Sequence, residues 1–170
     1  MRKGVKYQYF VEGKCEEKLI KVLKDQKDQI ISGKVEVLNV VQERLTDTKL
    51  RLITPDTIII LIFDTDTGEV EILKENLKKL EKWGIKKVWC VVQVKNLEDE
   101  ILRATSLRNV KDLFKCKNLD EFKEQFIKEK NLYKKLTDKD FDLDKMWITE
   151  PPKEYCWLNN DGNKIKRNKV

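Results

Sequence analysis

The apolar positions of this chain follow two periods in turn. Val5 to Val11 is short, aromatic and β-branched and ends at Glu12-Gly13, which reads as a first strand running into a tight loop. Leu19, Val22, Leu23 and Ile30 then fall at helical spacing, predicting a helix from Glu16 to about Gln29 with Ser32-Gly33 as its stop. Val35 to Val41 reads as a second strand, and Glu43 to Leu52 as a weak helix or a loop before Thr54-Pro55. Thr57 to Phe63 (TIIILIF) is too short and too β-branched for a helix. It predicts a central strand buried on both faces, as parallel sheets require. After Asp64-Thr65-Asp66-Thr67-Gly68, helical spacing resumes from Glu69 to Trp83 through Val70, Leu73, Leu77 and Leu80, and Gly84 ends it. Lys87 to Val94 is a fourth strand, and Asn96 caps a helix from Leu97 to about Thr105.

This alternation predicts an α/β fold: a mainly parallel four-stranded, Rossmann-like sheet flanked by helices. Residues 1–107 form that domain. Residues 108–158 form a helical and irregular C-terminal extension, with an amphipathic helix over Asn118 to Lys130 and a docked segment from Trp147 to Leu158 that holds Pro151-Pro152. Asn159 to Val170 is polar and basic and reads as a frayed tail.

Composition narrows the chemistry. A chain of 170 residues buries roughly 70% of the surface its unfolded form exposes and needs no metal or disulfide staple. Charged residues make up 39% and the net charge is +6, which suits a polyanionic partner or plain solubility equally. The four cysteines are far apart and there is no histidine, which argues against a structural zinc site and excludes Ser-His-Asp and Cys-His catalysis. Acid–base work is left to carboxylates, lysines or metal-bound water. With no signal peptide and no apolar run of membrane length, the expected compartment is the cytoplasm, and no membrane partner is expected.

In open parallel sheets ligands bind beyond the carboxyl ends of the strands. Acidic residues follow three of the four predicted strands: Glu12 the first, Asp64 and Asp66 the third, and Glu98, Asp99 and Glu100 the fourth. Asp64 and Asp66, at i and i+2 of an extended segment, point to one side and repel unless a cation neutralises them. A hard ion, Mg²⁺ or Mn²⁺, takes such oxygen ligands with water and substrate phosphate. Structural roles also fit: Glu12 as a solvated loop residue, Glu16, Glu17 and Glu98 to Glu100 as acids at helix N-termini, and the aspartates as a turn or cap.

Tyr9-Phe10-Val11-Glu12-Gly13-Lys14-Cys15-Glu16-Glu17 resembles the signature of the Toprim superfamily, and Ile60-Leu61-Ile62-Phe63-Asp64-Thr65-Asp66 resembles its DxD motif. The likeness covers roughly residues 5 to 105 and is greatest to small nuclease-like members: OLD-family nucleases, RloB-like proteins and the ribonuclease that matures 5S ribosomal RNA. The resemblance implies a Mg²⁺-dependent nuclease acting on DNA or RNA phosphodiesters. Glu12 would be the acid–base or metal-bridging residue and Asp64 and Asp66 the metal-holding catalytic pair, with Glu16 and Glu98 as further metal acids. The small-residue motif expected before Glu98 is missing. Lys14, Lys86, Lys87, Lys164, Lys166, Arg167 and Lys169 are candidates for contacts to the nucleic-acid backbone. The four tryptophans could stack bases or fill the core.

Three other readings stay open. The fold could serve as a binding or regulatory subunit, with a protein partner or as a homodimer, in a defence or phage-related complex. Phe63-Asp64-Thr65-Asp66-Thr67 also matches the DxDxT loop of HAD-type phosphatases, with Asp64 as nucleophile, although that loop normally follows the first strand. A receiver domain would use Asp64 and Lys95 but lacks an acidic pair at Glu12-Gly13.

Overall fold

The computed structural model describes residues 4–167. At its centre β1 (Tyr7–Val11), β2 (Lys34–Val37), β3 (Ile58–Asp64) and β4 (Lys87–Gln93) form an all-parallel sheet in the order β2-β1-β3-β4. Seven α-helical segments are described: α1 (Lys14–Lys21), α2 (Asp47–Arg51), α3 (Glu71–Lys82), α4 (Leu97–Ala104), α5 (Leu119–Lys128), α6 (Leu132–Thr137) and α7 (Gly162–Ile165). The chain is therefore an α/β protein with a Rossmann-like sheet.

β3 shows why the sheet is two-sided. Its side chains alternate, so Ile60 and Ile62 join the core containing α1, α4, α5 and α6, while Ile59, Leu61 and Phe63 join the core containing α2 and α3. Ile59 through Phe63 are all fully buried. Each such side chain contributes about 1.5–3 kcal/mol over remaining in water. The helices over these faces are amphipathic: α1 buries Leu19 and Ile20, and α3 buries Leu73 and Leu80.

Three elements differ from the sequence pattern. The first helix ends its regular turn at Lys21 and continues as a wider π-helical turn over Val22–Gln26, closed by the Gln29 N–H on the Leu23 carbonyl. β2 stops at Val37. Beyond it Leu38, Val40 and Val41 turn onto α3, whose buried Asn76 donates to the carbonyls of Val40 and Glu43 and accepts from the Leu45 N–H, so backbone groups that would extend a strand are bonded to a side chain instead. The extension past residue 107 shares one core with the sheet, through Phe122, Phe126, Leu132, Leu136, Met146 and Trp147.

The segment from Asn159 to Arg167 is docked rather than frayed. Asn160 and Asp161 bond to Val92 and Cys90 on the open edge of β4, Ile165 is buried, and its carbonyl accepts the Ile31 N–H. Polar composition concealed this because the polar side chains are spent on a strand edge. Gly162 is required there, since a β-carbon would lie 2.2 Å from the Trp147 carbonyl oxygen.

Candidate active site

The strand order creates the site. β1 is followed by a connection to β2 on one side, while β3 leads to β4 on the other, so a crevice opens between neighbouring strands whose chains depart in opposite directions. Val11 pairs with Ile62, which puts Glu12 just past the sheet beside Asp64. Glu12 Oε2 accepts the Asp64 N–H at 2.6 Å, and the negative charge of Glu12 bears on the Asp64 carboxyl.

Glu16 joins them from the first turn of α1 and is 7% exposed. The connecting group is Gln93, fully buried at the end of β4 and paired in register with Asp64. Its Nε2 donates to Asp64 Oδ1 at 2.6 Å and to Glu16 Oε1 at 3.3 Å, and its Oε1 accepts from the indole N–H of buried Trp147. One neutral amide therefore clips two acids, neither of which is ion-paired among the described residues.

Asp66 is exposed two residues on, and between the aspartates Thr65 is buried. The Thr65 hydroxyl donates to the Gln93 carbonyl and accepts the Lys95 N–H, while the Thr65 N–H donates to the Lys95 carbonyl. This clasp fastens the Asp64–Asp66 loop to the β4–α4 loop. Glu98, in the first turn of α4, is paired with Lys123 of α5 at 3.4 Å.

Burial dominates the ionisation of the cluster. It pushes Asp64 from 3.8 up to about 9, helped by the negative charges of Glu12 and Glu16 and opposed by the Gln93 amide. It raises Glu12 against the Asp64 N–H, with Glu16 and Asp66 adding to the rise. It raises Glu16 too, where the charge of Glu98 adds and Lys123 and the Gln93 amide oppose. Burial pulls Lys123 down, but Glu98 and the other neighbouring negative charges outweigh it and hold the ammonium. The acids from β1, α1, β3 and α4 thus act on one another electrostatically. Among the described residues no three acidic or cysteine side chains converge into a ready-made metal cage. Mg²⁺ does not require such a cage, because it commonly takes one or two carboxylates and keeps waters and substrate phosphates as its other ligands.

Of the predicted basic contacts, Lys14 starts the helix that follows Glu12, and the others are placed elsewhere or engaged by neighbours. Lys86 and Lys87 stand at the opposite end of β4, where Lys87 pairs with the first residue of β3, about 20 Å of strand away. Lys164 pairs with Asp161, Lys166 bonds the carbonyl of Met146, and Arg167 pairs with Asp28. Lys14 is exposed at the start of α1 and paired with Glu17, and Lys169 lies outside the described residues. Trp147 is core, whereas Trp83 and Trp157 are partly exposed. Glu100, one turn beyond the cap, is a structural clamp: fully buried, it accepts from the N–H groups of Val94 and Trp147 and from Arg103. Gln93 and Thr65 carry no sequence signal of their own, since only the β3–β4 register brings them to the acids.

Fold and site define an open parallel α/β domain whose acids meet across its switch point. Comparison with protein families, curated proteins and solved structures finds no match to this chain. No helix among the described residues is long and apolar enough to cross a membrane.

Proposed function

We propose that this chain is a small Toprim-like nuclease that hydrolyses nucleic-acid phosphodiesters with Mg²⁺ or Mn²⁺. One observation carries the reading: Glu12 and Asp64, 52 residues apart in the chain, are in direct contact at the sheet's switch point, half-buried and without an ion-pair partner among the described residues. Such a pair is costly to the fold and is explained by a cation that binds there.

Asp64 and Asp66 are the residues to hold the ion, with Glu16 and Glu98 flanking them and Gln93 fixing the rotamers of Asp64 and Glu16. Glu12, its proton affinity raised by burial, is suited to exchange a proton with a nucleophilic water or the leaving oxygen. The ion would supply Lewis-acid stabilisation of charge on the phosphoryl oxygens.

The test is incubation of the purified chain with labelled single-stranded, duplex and structured RNA and DNA in Mg²⁺, Mn²⁺ or EDTA. Cleavage that needs the ion and is lost in Asp64→Ala and Glu12→Ala supports the proposal. It fails if no substrate is cut or if both variants cut like the parent. Ion-dependent binding without cutting would mark a regulatory subunit. Turnover of small phosphoesters with a beryllofluoride adduct on Asp64 would mark the HAD-type alternative.

A further inference from the structure

The carboxylates open into a cleft of about 410 Å³ that also gathers three cations. Asp64, Asp66, Glu98 and Asp99 line it together with Lys95, Arg108 and Lys123, and Leu102 and half-exposed Leu119 add apolar surface. Lys95 is paired with Asp99 and Lys123 with Glu98, which leaves Arg108 as the lining cation without an ion-pair partner among the described residues. Each cation is there for its own reason. Lys95 sits in the left-handed backbone region (φ 71°), a conformation costly for a lysine, and is held in it by the two-way clasp with Thr65. Lys123 comes from α5, drawn in by Glu98. Arg108, in the loop after α4, is exposed and has no hydrogen-bond or ion-pair partner among the described residues. A free guanidinium facing a cleft is available to a ligand's oxyanions.

Given the phosphodiester reading above, on which this step rests, we infer that a single nucleic-acid strand reaches the acids through this cleft, with its backbone on Arg108, Lys95 and Lys123. The dimensions favour one strand. Asp64 is mostly covered and Glu16 buried, so the reacting phosphate must descend into a narrow space, which a flexible strand can do and a rigid duplex cannot. Leu119 and Leu102 give bases or sugars an apolar contact, leaving sequence unread. The lysines at the other end of the sheet and those of the C-terminal segment take no part.

The experiment is fluorescence anisotropy of labelled oligo-dT and oligo-U, and of a duplex of equal length, on the full chain in EDTA across a salt series, beside the cleavage assay. Arg108→Ala and Lys95→Ala should each weaken single-strand binding several-fold and reduce the salt slope by about 0.7, the value for one lost phosphate contact on a single strand. Arg108→Lys should restore most of the loss, and Lys86→Ala with Lys87→Ala should change nothing. Arg108 is exposed and has no hydrogen-bond or ion-pair partner among the described residues, so its truncation should leave the fold intact, which circular dichroism checks. Unchanged affinity and slope in Arg108→Ala and Lys95→Ala, preference for the duplex, or loss in the Lys86 and Lys87 variants would overturn the path. If the parent cuts while Arg108→Ala binds and cuts equally well, the path is wrong and the chemistry stands. Arg108-dependent binding with no cutting by the parent keeps the path and removes the chemistry.

Discussion

Asp64 is where the site works against the fold. Its carboxyl titrates near 3.8 in an unfolded chain and near 9 in the metal-free native one, so between these limits the native state holds a proton that the unfolded state has released. Native stability from this group is complete below the lower value and declines as pH rises towards the upper one. Asp64→Asn keeps the shape, accepts from the Gln93 amide and removes the titration. In EDTA at pH 8 the variant should be more stable than the parent, by on the order of 1 kcal/mol or more, since one unit of pKa is worth about 1.4 kcal/mol. The gain should shrink towards pH 4. Urea unfolding at a series of pH values measures it, and a variant less stable than the parent at pH 8 would show that Asp64 is not desolvated as described.

Among the elements, α4 and the C-terminal segment decide whether the cleft keeps its shape. Glu100 ties the end of β4 to α4 and to Trp147, and Trp147 in turn bonds Gln93. Glu100→Ala should cost about 3–5 kcal/mol because it orphans two backbone N–H groups and leaves the Arg103 guanidinium with the Val94 carbonyl but no carboxylate, and a lower urea midpoint reports it. Ending the chain after Leu158 should uncover the edge of β4, where Asn160 and Asp161 now bond Val92 and Cys90. Light scattering should then show association that the full chain lacks. These two elements also mark how far the sequence can be read. β3 is legible because six consecutive apolar residues, most of them strong β-formers, admit few other structures, and the aspartates after it are legible because they end that run abruptly. The docking of Asn160 and Asp161 is not, since single side chains on a strand edge leave no period. In the sequence Glu98 and Glu100 read as one acidic run, although a helix turns them apart: Glu98 faces Lys123 near the cleft and Glu100 faces the interior. α6 leaves no periodic signature because six residues are too few to establish a helical repeat.

For the whole molecule, the charge arrangement makes metal binding measurable without any substrate. Acids sit at the carboxyl edge of the sheet, and Lys86 and Lys87 stand at the opposite edge. An ion that binds the native cluster and ignores the unfolded chain stabilises by RT ln(1 + [L]/Kd), about 1.4 kcal/mol at tenfold excess over Kd. In a chain of 170 residues that raises Tm by roughly 3–5 °C. The ion must also displace the proton on Asp64, so the shift should grow as pH rises towards about 9. Mg²⁺ or Mn²⁺ should raise the Tm of the parent more at pH 8 than at pH 6 and leave that of Asp64→Asn almost unmoved, with calorimetry giving the number of protons released. This separates the ion from the reaction. A chain that cuts nothing yet shows the shift holds a metal site with a binding role, whereas a Tm indifferent to both ions at either pH leaves the buried acids without the partner that would justify them.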